Sequence, residues 1–438
     1  MIKKSVLFLF FSFQLLLGFT QTALDLKELI QLVLNNNYDI KLSDFDKQIA
    51  GEENTNANAG ASPRVRLLSD LRYSAQFIGD PTTLAKGFLH TFGVNPKVQT
   101  DWVLFGGKRV RNAKSGLENK EKGASLKSQL TIEAKLVTAI ALYYKGIILL
   151  QNEKLIQDLL NQSKKNWNAS EHKFRNGLIN GYDFNQNKVS FLDDSIKLFN
   201  IKTEIEDLNK QLKQVCALGD DANFVLEGVL PNEFPDYDYK VLKEKVLKNN
   251  YRLRIESSIT ELKRLEFEVE KANKKPLILG FNQVYLDANY LESQFTDINF
   301  AGNARFLIGL TLNWTLWDGG KMNTQINVAK LNYEKEQLNN QKLINSIEND
   351  LYANYKKYYN NRQLLALYDE KVKSIQYTFQ MAEKQYAKGL MKSFEYFQAK
   401  QLYEKSLSDL AKAQYKTMMQ ELELIRLSGG ILNYYVAE

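Results

Sequence analysis

One cysteine, two histidines and six prolines are spread over 438 residues, and each scarcity removes a class of function. A single cysteine, Cys216, makes no internal disulfide, so an oxidising compartment adds no staple. Its apolar neighbours (Val215, Ala217, Leu218) suit a small packing residue. His90, His172 and Cys216 stand too far apart for the close ligand spacing of a zinc site, and no Ser/His/Asp set stands out. No catalytic residue, metal or cofactor is therefore expected, and the chain does not read as an enzyme. Gly106-Gly107-Lys108 and Gly319-Gly320-Lys321 lack the spacing and the Ser/Thr of a phosphate loop. The formal net charge of +7 includes Lys3 and Lys4, and the remaining Lys and Arg are mixed with Glu along helix faces. Without a dense basic block, nucleic-acid binding is not expected.

No apolar run reaches the roughly 20 residues of a spanning helix. The one that comes nearest, Val6 to Phe19 behind Lys3 and Lys4, is short and is followed by small residues, which predicts a secretory signal over residues 1–20. The mature chain is then exported.

What is present is present twice. Trp102-Val-Leu-Phe-Gly-Gly-Lys108 returns as Trp314-Thr-Leu-Trp-Asp-Gly-Gly-Lys321, 212 residues on. Asn37-Tyr38 returns as Asn250-Tyr251, Pro63 as Pro276, and Phe174-Arg-Asn-Gly-Leu178 as Tyr386-Ala-Lys-Gly-Leu390. This predicts an internally duplicated fold, with a first repeat over 21–218, a linker over 219–235, a second repeat over 236–430 and a short tail over 431–438.

Proline is absent from 110–218 and from 321–428, where Lys, Glu, Gln, Leu and Asn dominate, so each stretch predicts long helices turning back at a Gly-Leu tip. In the second, Ile344, Leu351, Tyr358, Leu365, Val372 and Phe379 recur every seven residues beside a companion row with polar Asn354 and Asn361. That is a coiled-coil seam about 90 Å long.

The other part of each repeat alternates with period two. Val65, Leu67, Ser69, Leu71, Tyr73, Ala75 and Phe77 oppose a mostly polar set from Arg66 to Gln76. Phe306, Ile308, Leu310, Leu312, Trp314 and Leu316 oppose Leu307, Gly309, Thr311, Asn313 and Thr315. Segments 88–105 and 277–290 are weaker strands, the latter losing phase near Gln283. Strands of this length with one apolar face fit a transmembrane β-barrel wall, and Val65, Leu67, Leu71, Phe306, Ile308, Leu310 and Leu312 are expected to face lipid. A half-buried soluble sheet alternates in the same way, which leaves an exported coiled-coil scaffold or adaptor as the other reading.

The order of these features resembles the TolC family of outer-membrane efflux proteins over the whole mature length. The residues that carry the resemblance are the opening Leu26-Lys-Glu-Leu-Ile-Gln-Leu-Val-Leu-Asn-Asn-Asn37, the glycine junctions at Gly106, Gly107, Gly319 and Gly320, and the two tips. Each tip is followed by an acid (Asp183, Glu395) and a glutamine (Gln186, Gln398). The resemblance implies a homotrimer in which each protomer lends four strands to one 12-stranded barrel, continued by a long periplasmic α-helical barrel. It implies an outer-membrane exit channel, a passive duct for small molecules or proteins in a tripartite efflux pump or type I secretion system. A periplasmic adaptor and an inner-membrane pump would energise it. It places Gly177, Leu178, Gly389 and Leu390 at the adaptor and Asp183, Gln186, Glu395 and Gln398 at a periplasmic aperture. Only eight residues follow Gly430, so the waist is expected to use the first short helix, its partner near Tyr239–Lys248 and the linker. Four strands cannot close alone, and open edges are not tolerated in lipid.

Overall fold

The computed structural model describes residues 22–79, 86–293 and 300–435, so the expected signal segment lies outside it. The chain runs β1 (Thr22–Leu24), α1 (Leu26–Asn36), α2 (Tyr38–Glu53), β2 (Arg64–Gly79), β3 (Lys86–Phe105), α3 (Arg109–Arg175) and α4 (Gly181–Val215). It continues with β4 (Phe224–Leu226), α5 (Tyr239–Asn249), α6 (Tyr251–Ala272), β5 (Leu277–Ser293), β6 (Phe300–Asn313), α7 (Lys321–Ala387), α8 (Ser393–Leu427) and α9 (Ile431–Tyr435). Helices α3 and α7 both have 67 residues, and α4 and α8 both have 35. At 1.5 Å per residue the long pair measures about 100 Å.

Strands β2, β3, β5 and β6 form one antiparallel sheet in that order, leaving β2 and β6 with one unpaired edge each. In the helical layer α3 packs between α2 and α6, and α6 reaches α7 on its other side. Each long helix then folds back on its short partner, α3 on α4 and α7 on α8. The expected heptad row is the seam of the second hairpin: Leu351, Tyr358, Leu365, Val372 and Phe379 are buried, while Ile344 is half-buried.

The waist holds the main core. Asp25 and Glu28 close a capping box that starts α1, whose Leu29, Ile30 and Val33 pack with Leu136, Ile140, Leu208 and Leu212. The linker belongs to this core. Its β4 pairs in parallel with β1, and Leu226 and Leu230 are buried in it, while Phe234 packs in the neighbouring core around Tyr358. The Tyr358 hydroxyl donates to the Pro235 carbonyl at 2.6 Å and pins the linker's end to α7.

Three expectations need correction. Strand β6 ends at Asn313, because the Trp314 indole N–H turns away to donate to the Lys274 carbonyl at 3.1 Å. Strand β5 keeps its phase, pairing without a break from Leu277 with Asn313 to Tyr290 with Phe300. The apparent slip came from Leu279 and Phe281, apolar residues on the otherwise polar face. The segment after Gly430 is also more than a tail, since it begins as helix α9 with Ile431 fully buried.

Barrel wall, junctions and helical tips as the candidate functional site

The sheet register sorts the four strands into two faces. One carries Val65, Leu67, Leu71, Val94, Val98, Val284, Leu286, Phe306, Ile308, Leu310 and Leu312 in matched rows. All seven predicted lipid-facing residues lie on this face and are exposed in the protomer. Its charge is confined to one end, where Glu292 pairs with His90 in the register. Aromatic side chains mark both ends: Tyr73, Phe92, Tyr290 and Phe300 near the loops, and Trp102 near the helices.

The opposite face is polar, with Arg64, Arg66, Asp70, Arg72, Lys97, Asp101, Asp287 and Arg305. Arg66 pairs with Asp101 at 2.6 Å and Arg305 with Asp287 at 3.2 Å. An apolar outer band and a charged inner wall are what a closed barrel in lipid requires.

The two junctions solve the same problem differently. Gly319 and Gly320 are both left-handed, and the Asp318 carboxylate accepts the N–H groups of Gly320 and Met322 at 3.1 and 2.8 Å. In the first junction the left-handed pair is Gly107 and Lys108, so Gly106 precedes the turn and Lys108 stands where the second half has glycine. The two glycine pairs noted in the sequence are therefore offset by one residue. The flanking tryptophans act alike, since the Trp102 indole N–H donates to the Ala61 carbonyl at 2.7 Å as Trp314 does to Lys274.

At the far end both tips are complete Schellman turns. Gly177 (φ 69) and Leu178 return their N–H groups to the Phe174 and Lys173 carbonyls, and Gly389 (φ 74) and Leu390 return theirs to Tyr386 and Gln385. Leu178 and Leu390 are left more than 70% exposed. Asn180 caps α4 by accepting the Asp183 N–H at 2.8 Å. Asp183 and Gln186 are half-buried, and Glu395 and Gln398 are exposed. Within one protomer no hydrogen bond or ion pair among the described residues joins Asp183 to Glu395.

What does join the tips went unread in the sequence. Asn187, almost fully buried, accepts the Tyr386 hydroxyl at 3.0 Å and donates to the Asp183 carbonyl, while Tyr386 stacks on Tyr396 with centroids 4.4 Å apart. Farther from the tip, Lys400 of α8 is buried against Asp194 of α4, and Lys197 pairs with Glu404 at 2.6 Å. Polar residues on the buried seven-residue row Asn187, Asp194, Ile201 and Leu208 were the available signal.

Residues 282–430 match the sequence profile of the family described as Outer membrane efflux protein. No curated protein sequence matches the chain. Solved structures do. The chain is similar to the Campylobacter jejuni CmeC outer membrane channel, with TM-score 0.76 and 16% identity over 92% of this chain and 85% of that one. It is similar to the outer membrane protein VceC of Vibrio cholerae, with TM-score 0.75 and 16% identity over 92% and 96%. It is also similar to the open state of the Neisseria gonorrhoeae MtrE outer membrane channel, with TM-score 0.70 and 14% identity over 93% and 89%. At these identities the likeness establishes the fold. The chain therefore has the fold of these outer membrane channels, and its residues 282–430 carry the sequence profile of the outer membrane efflux protein family.

Proposed function

We propose that the chain is an internally duplicated protomer, with repeats over 21–218 and 236–430, that closes as a homotrimer around a 12-stranded barrel and a continuous helical duct. One observation carries this reading: an interface formed inside the protomer has its two halves repeated, unpartnered, on the protomer's flanks. Helix α6 sets Tyr251, Ser258 and Leu262 against α3, with Ser258 bonded to Asn119 and Leu262 beside Gly116. The matching residues of α2, Tyr38, Phe45 and Ile49, lie in register with them and are 70%, 59% and 56% exposed. Helix α7, the equal of α3, has a free side as well. Docking α2 of one protomer on α7 of the next repeats the α3–α6 packing, and the same rotation brings the free β6 edge to the free β2 edge. The row Val189, Leu192, Ile196 and Phe199 of α4 is a further exposed apolar face, nearer the tips.

In this reading the duct is passive, and inner-membrane partners supply energy through a periplasmic adaptor, in a tripartite efflux pump or a type I secretion system. Leu178 and Leu390 offer six exposed apolar contacts per trimer at the tips for that adaptor. Threefold symmetry gathers Asp183 and Glu395 into an acidic ring, with Gln186 and Gln398 one turn deeper, and close carboxylates favour cations. The bland account of these acids is helix capping by charge in the first turn. Lysine at 183 and 395 separates the two. A ring predicts reduced cation selectivity in assembled trimers, and capping predicts no change.

The assembly is tested by oxidising the double variant Phe45→Cys, Leu331→Cys in outer membranes. The expected product is a covalent trimer in the membrane fraction. Recovery of a soluble periplasmic monomer without cross-links would return the chain to the scaffold reading.

A further inference from the structure

Five cations meet where β3 leaves the sheet and β5 enters it. Lys108, Arg109 and Arg111 open α3, and Lys274 and Lys275 precede β5. The sheet brings the groups together, because Phe105 pairs with Ile278 and the Lys275 side chain lies against Gly107, where an added Cβ would come within 2.6 Å of its Cδ. Lys108, Arg111, Lys274 and Lys275 are exposed. Just beyond the cluster, Lys114 pairs with Glu118 and Lys271 with Glu268. Among the described residues no carboxylate pairs with any of the five.

Two local features make this arrangement unfavourable on its own. Lys108 holds φ 77, a conformation that L side chains rarely adopt. The first turn of α3 contains no acid, so three cations face the positive end of a 67-residue helix. The other junction differs: glycine takes the left-handed position, and although the first turn of α7 has no acid either, the Asp318 carboxylate just before it accepts the Met322 N–H beside Lys321.

The depth of the cluster is set by tryptophan. Trp102 and Trp314 are half-exposed at the helix end of the sheet, and Trp314 bonds the Lys274 carbonyl itself. Such belts lie at the level of lipid headgroups.

We propose that Lys108, Arg109, Arg111, Lys274 and Lys275 seat the phosphate of anionic phospholipids in the periplasmic leaflet of the outer membrane, one seat per protomer. The inference rests on the reading that the sheet spans that membrane. The phosphodiester charge and its oxygens offset part of the mutual repulsion of the five cations and of the unfavourable placement at α3, and clustered Lys and Arg prefer an anionic headgroup to a zwitterionic one.

The test is lipid retention. The full chain, extracted from outer membranes and reconstituted into nanodiscs of mixed phosphatidylglycerol and phosphatidylethanolamine, is assayed by native mass spectrometry. The expected result is severalfold enrichment of phosphatidylglycerol, lost in K108Q/R111Q/K274Q/K275Q and retained in K321Q. The loop variant K274Q/K275Q leaves α3 intact and should lower the enrichment without altering thermal stability. Equal retention of both lipids by the unaltered protein, or unchanged enrichment in K274Q/K275Q, overturns the seat. Displacement of bound lipid by millimolar inorganic phosphate also overturns it, because a site so easily filled by the free anion selects no lipid. Failure of the chain to enter nanodiscs defeats the membrane reading instead.

Discussion

Helices α3 and α7 have the same length, the same place after a strand and the same glycine tip, yet one is buried where the other is bare. Leu126 and Ile140 of α3 are 3% and 0% exposed, whereas Leu338 and Tyr352, 212 residues later, are 73% and 54% exposed. Between them Glu133 is buried while Asn345 is exposed. The cause is neighbours. Toward the sheet, helix α3 has both α2 and α6 beside it, whereas α7 has α6 and a smaller contact with α5 but no counterpart of the second long flank. In the proposed assembly, α2 of another copy would cover this mostly apolar row on α7, as α6 covers its equivalent on α3.

The sharpest test of the comparison is truncation on both sides of it. Leu126→Ala removes a core side chain and should cost about 2 to 5 kcal/mol in any state of assembly. Leu338→Ala should change a dissociated protomer by no more than about 0.5 kcal/mol, as a surface substitution does. In the assembled trimer it should approach the Leu126 effect. Thermal melting of the trimer and of the detergent-dissociated chain measures both. Leu338→Ala trimers that melt with the unaltered protein would break the equivalence.

The second comparison is between the faces of the sheet. Arg at Phe306, midway along β6 on the apolar face, should cost about 2 to 4 kcal/mol if that position lies at the bilayer midplane. Arg at Leu307, next in sequence and on the polar face, should cost much less. Equal folding yields for the two variants, or a spin label at 306 that reports water, would remove lipid from that face.

Length and period decided what could be read before the structure. Strands β2 and β6 were legible because many alternations accumulate along each. Strands β1 and β4 have three residues each, too few for a period, and pair across about 200 residues. Asn37 and Asn250 were visible as repeated landmarks, but their work was not. Each caps a helix with its side-chain oxygen and donates its amide to a distant carbonyl, Asn37 to Val215 at 2.7 Å and Asn250 to Leu427 at 2.8 Å. A bond between segments so far apart leaves no local trace. The same holds for Lys400 and Asp194, each ordinary on its own helix and unusual only when the helices meet. The tips were legible because a Schellman turn needs glycine at one fixed place.

Glu133 carries the comparison of α3 with α7 into pH. Burial pushes its carboxyl up to about 7, opposed by the Ile431 N–H and by the charge of Arg426, which itself pairs with Glu423. Tyr251 of α6 also faces it. A carboxyl that is harder to ionise when folded contributes stability fully below its unfolded value near 4.5, and the contribution is lost as pH rises through about 7. Glu133→Gln should therefore flatten the stability profile between about pH 5 and 8, by about 2 to 3 kcal/mol relative to the unaltered chain. The carboxyl that Asn345→Glu introduces at the matching place in α7 should titrate normally in a dissociated protomer. A Glu133→Gln profile parallel to that of the unaltered chain would show that the carboxyl is already hydrated.

The smallest effect concerns the ends of the short helices, where the halves face the same turn with different residues. Helix α8 closes at Gly429 (φ 66), with Gly429 and Gly430 bonded back to Arg426 and Ile425. Helix α4 closes in the same way at Ala217 (φ 49), with Ala217 and Leu218 bonded back to Gln214 and Lys213. Alanine pays a steric penalty in the left-handed region that glycine does not, so Ala217→Gly should gain up to about 1 kcal/mol, partly offset by the entropy of a freer unfolded chain. The reverse exchange is not its mirror. A Cβ on Gly429 would stand 2.6 Å from the Asn249 carbonyl oxygen, a backbone atom that cannot step aside, so Gly429→Ala should cost more than Ala217→Gly returns. Thermal melting of the two single variants decides the matter, and a loss of stability in Ala217→Gly would mean that the Ala217 methyl packs more favourably than its backbone is strained.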